Sequence, residues 1–266
     1  MPGENTAETA QVGLLPPPDD RIRVGTAGWS LPKACHAAFA ADGTHLQRYA
    51  GRLAAVEINS SFYRPHKPET YARWADSVPA GFRFAVKVPR TITHERRLRD
   101  IDAPLDRFLG EVQALGGTRG PLLVQLPPGL RFDADVAGDF FEAVRARFDG
   151  PVVCEPRHPG WFTDPVDALL SRFHVARVAA DPAPVPLAAV PGGWTGLVYY
   201  RLHGSPRMYY SAYTDVFLDR VVADLRNAAR RGAEAWCIFD NTALGEATRD
   251  ALSVLERLRA VMAAAG

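Results

Sequence analysis

Ala55-Val56-Glu57-Ile58-Asn59, a helix-like segment over 69–77, and then Phe82-Arg83-Phe84-Ala85-Val86-Lys87-Val88 together decide the fold. Both runs are short, mostly apolar and rich in β-branched or aromatic residues, as parallel strands covered on both faces are. Both end in polar residues. With the helix between them they read as a βαβ unit. The rhythm repeats outward in both directions. Further strands are expected at Ile22–Thr26, Leu122–Leu126, Val152–Glu155, Val175–Asp181, Leu197–His203 and Ala235–Asp240. Helices are expected at His45–Leu53, Glu69–Ser77, Pro104–Leu115, Asp135–Phe148, Pro165–Phe173, Asp215–Arg231 and Ala243–Met262. In the fourth, Phe140, Phe141, Val144 and Phe148 recur at helical spacing. Eight strands alternating with helices define an α/β class and a single (β/α)8 TIM barrel, whose chemistry belongs at the C-terminal ends of its strands. Pro182–Gly196 holds four prolines and no helical period, so the helix after strand 6 is expected to be shortened or replaced by a loop.

A chain of 266 residues suits one such barrel, which takes about 250. No Ser/Gly-rich linker divides it. Residues 1–20 lack an amphipathic period and are expected to be a disordered N-terminal tail, with the barrel over 21–266. The N-terminus has neither the basic nor the apolar region of a signal peptide. No apolar run approaches the roughly 18 residues of a membrane span. The expectation is a cytoplasmic protein without a membrane partner. Cys35, Cys154 and Cys237 show no metal-type spacing, and the latter two sit in apolar strands as small hydrophobes. A net charge of +1 argues against bulk electrostatic binding of nucleic acid. Of the 31 cationic residues only Lys33, Lys67 and Lys87 are lysines, so a lysine inside an apolar strand stands out.

Side chains alternate across a strand, and a barrel's inner face turns polar near the strand C-termini. By this parity Glu57, Asn59, Lys87, Gln125, Glu155, Arg177, Asp181, Tyr199, Arg201 and His203 face inward. Asp240 and Asn241 end strand 8, and parity does not separate their directions. Buried charges must pair or meet water. Glu57, Lys87, Glu155 and His203 are the catalytic candidates. A semi-buried lysine has its pKa lowered toward acid/base or Schiff-base chemistry. Glu57, on the neighbouring strand, is expected to orient Lys87. Glu155 is the candidate general acid or base.

Candidate substrate-binding residues are Asn59, Tyr63, Arg90, His94, Gln125, Arg157, His158, Trp161, Arg201, Asp240 and Asn241. Loops after strands 7 and 8 often bind phosphate in such barrels, helped by a helix N-terminus. Here Asn241 or Thr242 is also a candidate N-cap. Arg90, His94, Arg96, Arg97 and Arg99 make the loop after strand 3 basic, and Trp29, Tyr63, Trp161 and Tyr209 add aromatic walls. No H-x-H or HExxH spacing occurs, so no metal ligand is assigned and no cofactor is expected, although a divalent metal is compatible with the carboxylates and histidines at the mouth.

Several blocks resemble the YecE-like family of TIM-barrel proteins, a domain of unknown function. They are Gly25-Thr26-Ala27-Gly28-Trp29-Ser30, Val56 through Tyr63, Phe82 through Leu98, Leu123 through Pro128, Glu155 through Trp161, Tyr200 through Gly204, and Phe239 through Thr242. Gly160 stands where the family often carries Ser. The resemblance implies the barrel and supplies no reaction; a likeness to metal-dependent endonucleases of this fold is analogy alone. Three readings follow. The first is an enzyme with acid/base residues at the barrel mouth, acting on a small anionic or phosphorylated substrate. The second is a nucleic-acid-binding or endonuclease-like barrel, and the third a non-catalytic ligand-binding barrel. The oligomeric state is not legible.

Overall fold

The computed structural model describes residues 19–264. Its strands are β1 (Ile22–Ala27), β2 (Ala55–Ile58), β3 (Arg83–Lys87), β4 (Arg119–Gln125), β5 (Val152–Glu155), β6 (Val175–Arg177), β7 (Ala179–Asp181), β8 (Gly192–Gly193), β9 (Leu197–Leu202) and β10 (Glu234–Phe239). They form one sheet in the order β7-β9-β10-β1-β2-β3-β4-β5-β6-β8. Every neighbouring pair is parallel except β6 with β8. The helices are α1 (His45–Ala50), α2 (Ser60–Tyr63), α3 (Pro68–Asp76), α4 (Asp102–Val112), α5 (Ala134–Arg145), α6 (Asp164–Arg172), α7 (Asp215–Arg230) and α8 (Glu246–Ala263). This is the mixed α/β, TIM-like barrel that the alternating runs imply. The tail expected over residues 1–20 lies outside the described residues, apart from Asp19 and Asp20, which turn into β1.

The strand expected over Val175–Asp181 is two strands. β6 pairs with β5, and β7 pairs with β9, so the ring passes from one neighbour to the other within a single stretch of chain. The segment after it has no α-helix. It makes a tight 3-10 turn at Pro186–Ala189 and then β8, which runs antiparallel to β6. Polar caps start the helices where the sequence supplies them. Thr44 and Gln47 form a reciprocal capping box on α1, and Asp133 and Thr214 accept from the first turns of α5 and α7.

Two apolar layers follow from strand alternation. Val56, Ile58, Phe84, Val86 and Val124 pack outward against the helices. Ala55, Ala85, Leu123, Val153, Ala176, Val178, Leu197, Tyr199, Trp236 and Ile238 fill the barrel itself. Large residues from β9 and β10 face small ones elsewhere. Tyr199 stacks on Trp236 with centroids 5.7 Å apart. The indole fits because position 120 is glycine; a Cβ there would lie 2.8 Å from its ring.

The same alternation corrects one expectation. Arg177 and Asp181 share a face, but it is the outer one, because Ala176 and Val178 occupy the barrel. Arg177 pairs with Asp167 of α6 at 2.8 Å and lies over the Phe162 ring. Gly192 lets β8 pass against its guanidinium, where a Cβ would sit 2.1 Å from Nη2. Asp181 accepts from the Tyr213 hydroxyl at 2.8 Å.

Candidate active site

Above the apolar plug, strand ends deliver a charged layer from four places far apart in sequence. Arg201, on β9, is fully buried and uses its whole guanidinium fork. Its Nε and Nη2 donate to the two oxygens of Glu57 at 3.0 and 2.6 Å. Its Nη1 donates to Glu155 at 2.6 Å, and Nη2 also donates to Asp240 at 3.1 Å. The Tyr199 hydroxyl donates to Glu57 at 2.9 Å. Burial alone would raise the Glu155 and Asp240 carboxyls. The opposing groups together outweigh it, Arg201 at both, with Arg157 at Glu155 and the His203 hydrogen bond at Asp240, and they hold both below the usual carboxylate range. Burial lowers Arg201 in turn, but Glu155, Glu57 and Asp240 hold it well above its ordinary value. The expected pairing of Glu57 with Lys87 is therefore not formed. The planar fork of an arginine on β9 satisfies both carboxylate oxygens at once, which a lysine cannot.

His203 follows β9 and is buried. Its Nδ1 is 3.0 Å from Asp240, while Nε2 is 2.7 Å from Arg157 Nη2 and 3.2 Å from Glu155. A neutral ring with its proton on Nδ1 satisfies the two shortest contacts: it donates to Asp240 and accepts from Arg157. Arg157 also pairs with Glu155. Glu155, expected as a general acid or base, is enclosed and ionised between two guanidinium groups; its geometry is that of a residue that positions Arg157, Arg201 and His203.

Lys87 is the exception in this layer. It is only 7 % exposed, yet among the described residues its ammonium has no carboxylate partner. It lies over the Phe62 ring, 4.2 Å from the centroid. Burial pushes its pKa down and Arg201 pushes the same way. Glu57, Glu155 and Asp240 pull back only in part, leaving it at about 8. The Ser61 hydroxyl donates to the Lys87 carbonyl at 2.7 Å and so ties α2 to the end of β3. Phe62 was not among the expected site residues. It lies on the short helix after β2, where strand parity no longer applies.

The other candidates separate into two groups. Asn59, Gln125, His94, Arg157 and Asp240 lie around this layer. Gln125 stands beside Glu155 in the β4–β5 register. The Asn59 Oδ1 and Arg157 Nε are buried and unpartnered among the described residues. His94 packs edge-on against Phe62, and burial together with Lys87 and Arg90 lowers its pKa. Tyr209, with a left-handed backbone (φ 69°), packs edge-on against His203 from the loop after β9.

The second group does not reach the layer. Trp161 is buried in the outer core and donates to the Leu130 carbonyl at 2.9 Å. His158 accepts from the Gly160 amide and caps its own turn. Tyr63 is 71 % exposed. Arg90 pairs with Glu95, Arg97 donates to the Gly129 carbonyl and Arg99 pairs with Asp133, so much of the basic loop is engaged by its own neighbours. Asn241 is buried on the helix side, where it donates to Asp250 at 2.7 Å and to the Ser211 carbonyl. Neither it nor Thr242 caps the last helix. That helix starts after Gly245, whose left-handed backbone packs against Pro32, with Glu246 on the first turn. A neighbouring loop and a carboxylate thus occupy the helix end expected to receive an anion, and Arg201 is already saturated.

Among the described residues no group of three or more His, Cys, Asp and Glu side chains is arranged to hold a metal ion. The carboxylates that would supply ligands converge on Arg201, whose guanidinium takes the position a cation would need. No helix of the structure is long and apolar enough to cross a membrane.

Asp250 makes a separate prediction. It is buried under the barrel rim and accepts from Asn241 and from the Tyr213 amide at 3.2 Å. Burial raises its pKa from 3.8 to about 6, against the pull of those two bonds. The folded state then binds the proton more tightly than the unfolded state between these values, so this group subtracts stability as pH rises through that window. Asp250→Asn is expected to remove that slope. Urea midpoints of wild type and variant should diverge in the variant's favour from pH 4 toward pH 6.5; a pH-independent difference would show that Asp250 does not titrate there.

A nearly closed, almost wholly parallel sheet with a charged layer at its C-terminal mouth defines a TIM-like barrel, a fold that carries its site at that end. The chain belongs to the DUF72 family: the model described as "Protein of unknown function DUF72" matches residues 23–265. Curated relatives include the UPF0759 protein YecE of Escherichia coli K12, 32% identical over 171 residues, 62% of this chain and 60% of that protein. The UPF0759 protein YunF of Bacillus subtilis is 24% identical over 150 residues, 54% of this chain and 53% of that protein. The chain thus spans between half and about three fifths of these relatives' length. A solved DUF72 family protein from Enterococcus faecalis shares the fold with a TM-score of 0.75 at 21% identity, over 90% of this chain and 95% of that one. A DUF72 family protein from Thermotoga maritima does so with a TM-score of 0.74 at 21% identity, over 90% and 99%. The YecE-like resemblance read from the sequence blocks is thereby borne out.

Proposed function

We propose that this barrel is an enzyme that moves protons on a small anionic substrate held over its C-terminal mouth. One observation carries the reading. In a layer where Arg201 takes up Glu57, Glu155 and Asp240, Lys87 is buried with no carboxylate of the described residues in ion-pair contact. A desolvated ammonium without a partner costs stability, and such groups concentrate at functional sites. With a pKa of about 8, Lys87 exists in both protonation states near neutral pH, as a general acid or base requires. Lys87 is the group assigned to touch substrate. Elsewhere around the layer the Arg157 Nε and Asn59 Oδ1 are a donor and an acceptor left without a partner among the described residues. Glu57, Arg201, Glu155 and His203 are positioning residues that keep the floor of the site rigid.

The test is a thermal-shift panel on wild type and Lys87→Met with phosphorylated small metabolites, nucleotides, short single-stranded DNA and divalent metals. A ligand at 100 times its Kd stabilises by about 2.7 kcal/mol. The expected result is stabilisation by a small anion that disappears in the variant. Stabilisation by DNA or metal alone, or by an anion equally in both proteins, would overturn the reading.

A further inference from the structure

The neighbourhood of Lys87 favours a narrower chemistry than proton transfer. We propose that Lys87 is an amine nucleophile that condenses with the carbonyl group of an aldehyde or ketone substrate bearing an anionic group, forming an imine at Nζ. This deepens the reading above and rests on it. The side chain is held at the end of β3, its backbone fixed by Ser61 and its ammonium laid on the Phe62 ring. Among the described residues no carboxylate pins the nitrogen, so it is free to advance on a carbon atom without first breaking an ion pair. The surrounding carboxylates are all engaged by Arg201, which stops any of them from capturing the ammonium. A lysine that only held an anion would not need burial; an exposed arginine would serve, and this chain uses arginine almost everywhere else. Burial instead favours the neutral amine, which is the nucleophilic form.

The condensation balances without a redox partner. The amine lone pair adds to the carbonyl carbon, a proton passes from nitrogen to oxygen, and the hydroxyl leaves as water. Lys87 ammonium plus carbonyl gives protonated imine plus water. The cationic imine then draws electrons from the adjacent C–H bond, whose proton becomes removable.

Borohydride trapping tests this on the full chain, with glycolaldehyde phosphate as the probe. Hydride reduces the imine to a secondary amine that peptide mass mapping locates. The protein carries its own controls, because its two other lysines, Lys33 and Lys67, are exposed. The expected result is an adduct at Lys87 that forms faster than at Lys33 or Lys67 by at least about tenfold, requires borohydride, and is absent from Lys87→Arg and Lys87→Met. Labelling that follows exposure, with Lys33 and Lys67 modified first, would overturn the imine. Two failures are distinguishable. If glycolaldehyde phosphate raises Tm in wild type and in Lys87→Arg, and Lys87 is never trapped, the imine is wrong and charge-based binding of an anion stands. If it neither raises Tm nor traps, while DNA or metal alone does raise Tm, the proposed function falls as well.

Discussion

Lys87→Met is expected to make the protein more stable and its site inert. Burial lowers the Lys87 pKa from 10.5 to about 8, so the unfolded chain binds this proton more tightly than the folded one. At neutral pH, below both values, the folded state carries the whole penalty. At about 1.36 kcal/mol per unit, the difference amounts to roughly 3 kcal/mol. Methionine matches the stem of lysine in length, keeps a favourable contact with Phe62 and removes the charge. The gain should therefore approach that figure in urea unfolding at pH 7, together with loss of ligand-induced stabilisation. The sign is checked by pH: wild type should gain stability on the variant as pH rises from about 8 to about 10.5, and the gap should close above that. A stability gain coupled to loss of function is the signature of a residue kept for chemistry. A variant less stable than wild type at pH 7 would mean that Lys87 is part of the packing.

Arg201→Met is expected to have the opposite effect. It strips the common partner from Glu57, Glu155 and Asp240 in a place with little water. Breaking a buried pair by removing one partner costs about 3–5 kcal/mol, and here three carboxylates lose the one partner they share. Loss of at least that much stability is expected at pH 7. The pH response should also flatten. In wild type, Glu155 and Asp240 sit below their ordinary values, so they contribute stability above the unfolded carboxylate range and lose it as pH falls through their lowered values. In the variant burial still raises both carboxyls while only Arg157 and His203 remain to hold them down, so the stability lost as pH falls should shrink. Adding Glu57→Gln to Arg201→Met should recover part of the loss, because one buried charge is gone. Additive losses in the double variant would mean that the two residues are not energetically coupled.

These two residues also mark how far the sequence could be read. Period-two alternation placed Glu57, Lys87, Glu155, Arg201 and His203 on the inner face, and all five are there, because parity survives as long as a strand is regular. It failed at Arg177 and Asp181, which parity set inward together, because Ala176 and Val178 of the same stretch fill the crowded barrel instead. It was silent at Phe62, Tyr209 and Trp161, which lie beyond strand ends, where loop geometry sets direction.

Local pattern determined the strands, most of the helices and which residues look inward, since these depend on neighbours a few positions away. Partner choice was decided only in three dimensions. Residues 57, 155, 201 and 240 meet because register and ring closure bring β2, β5, β9 and the end of β10 to one point above the barrel axis. There the longest planar donor satisfies three carboxylates at once, and Lys87, one strand from Glu57, is left over an aromatic ring with no carboxylate of the described residues in ion-pair contact. Nothing in the spacing of these residues encodes that outcome; it follows from how far each side chain reaches across a closed barrel.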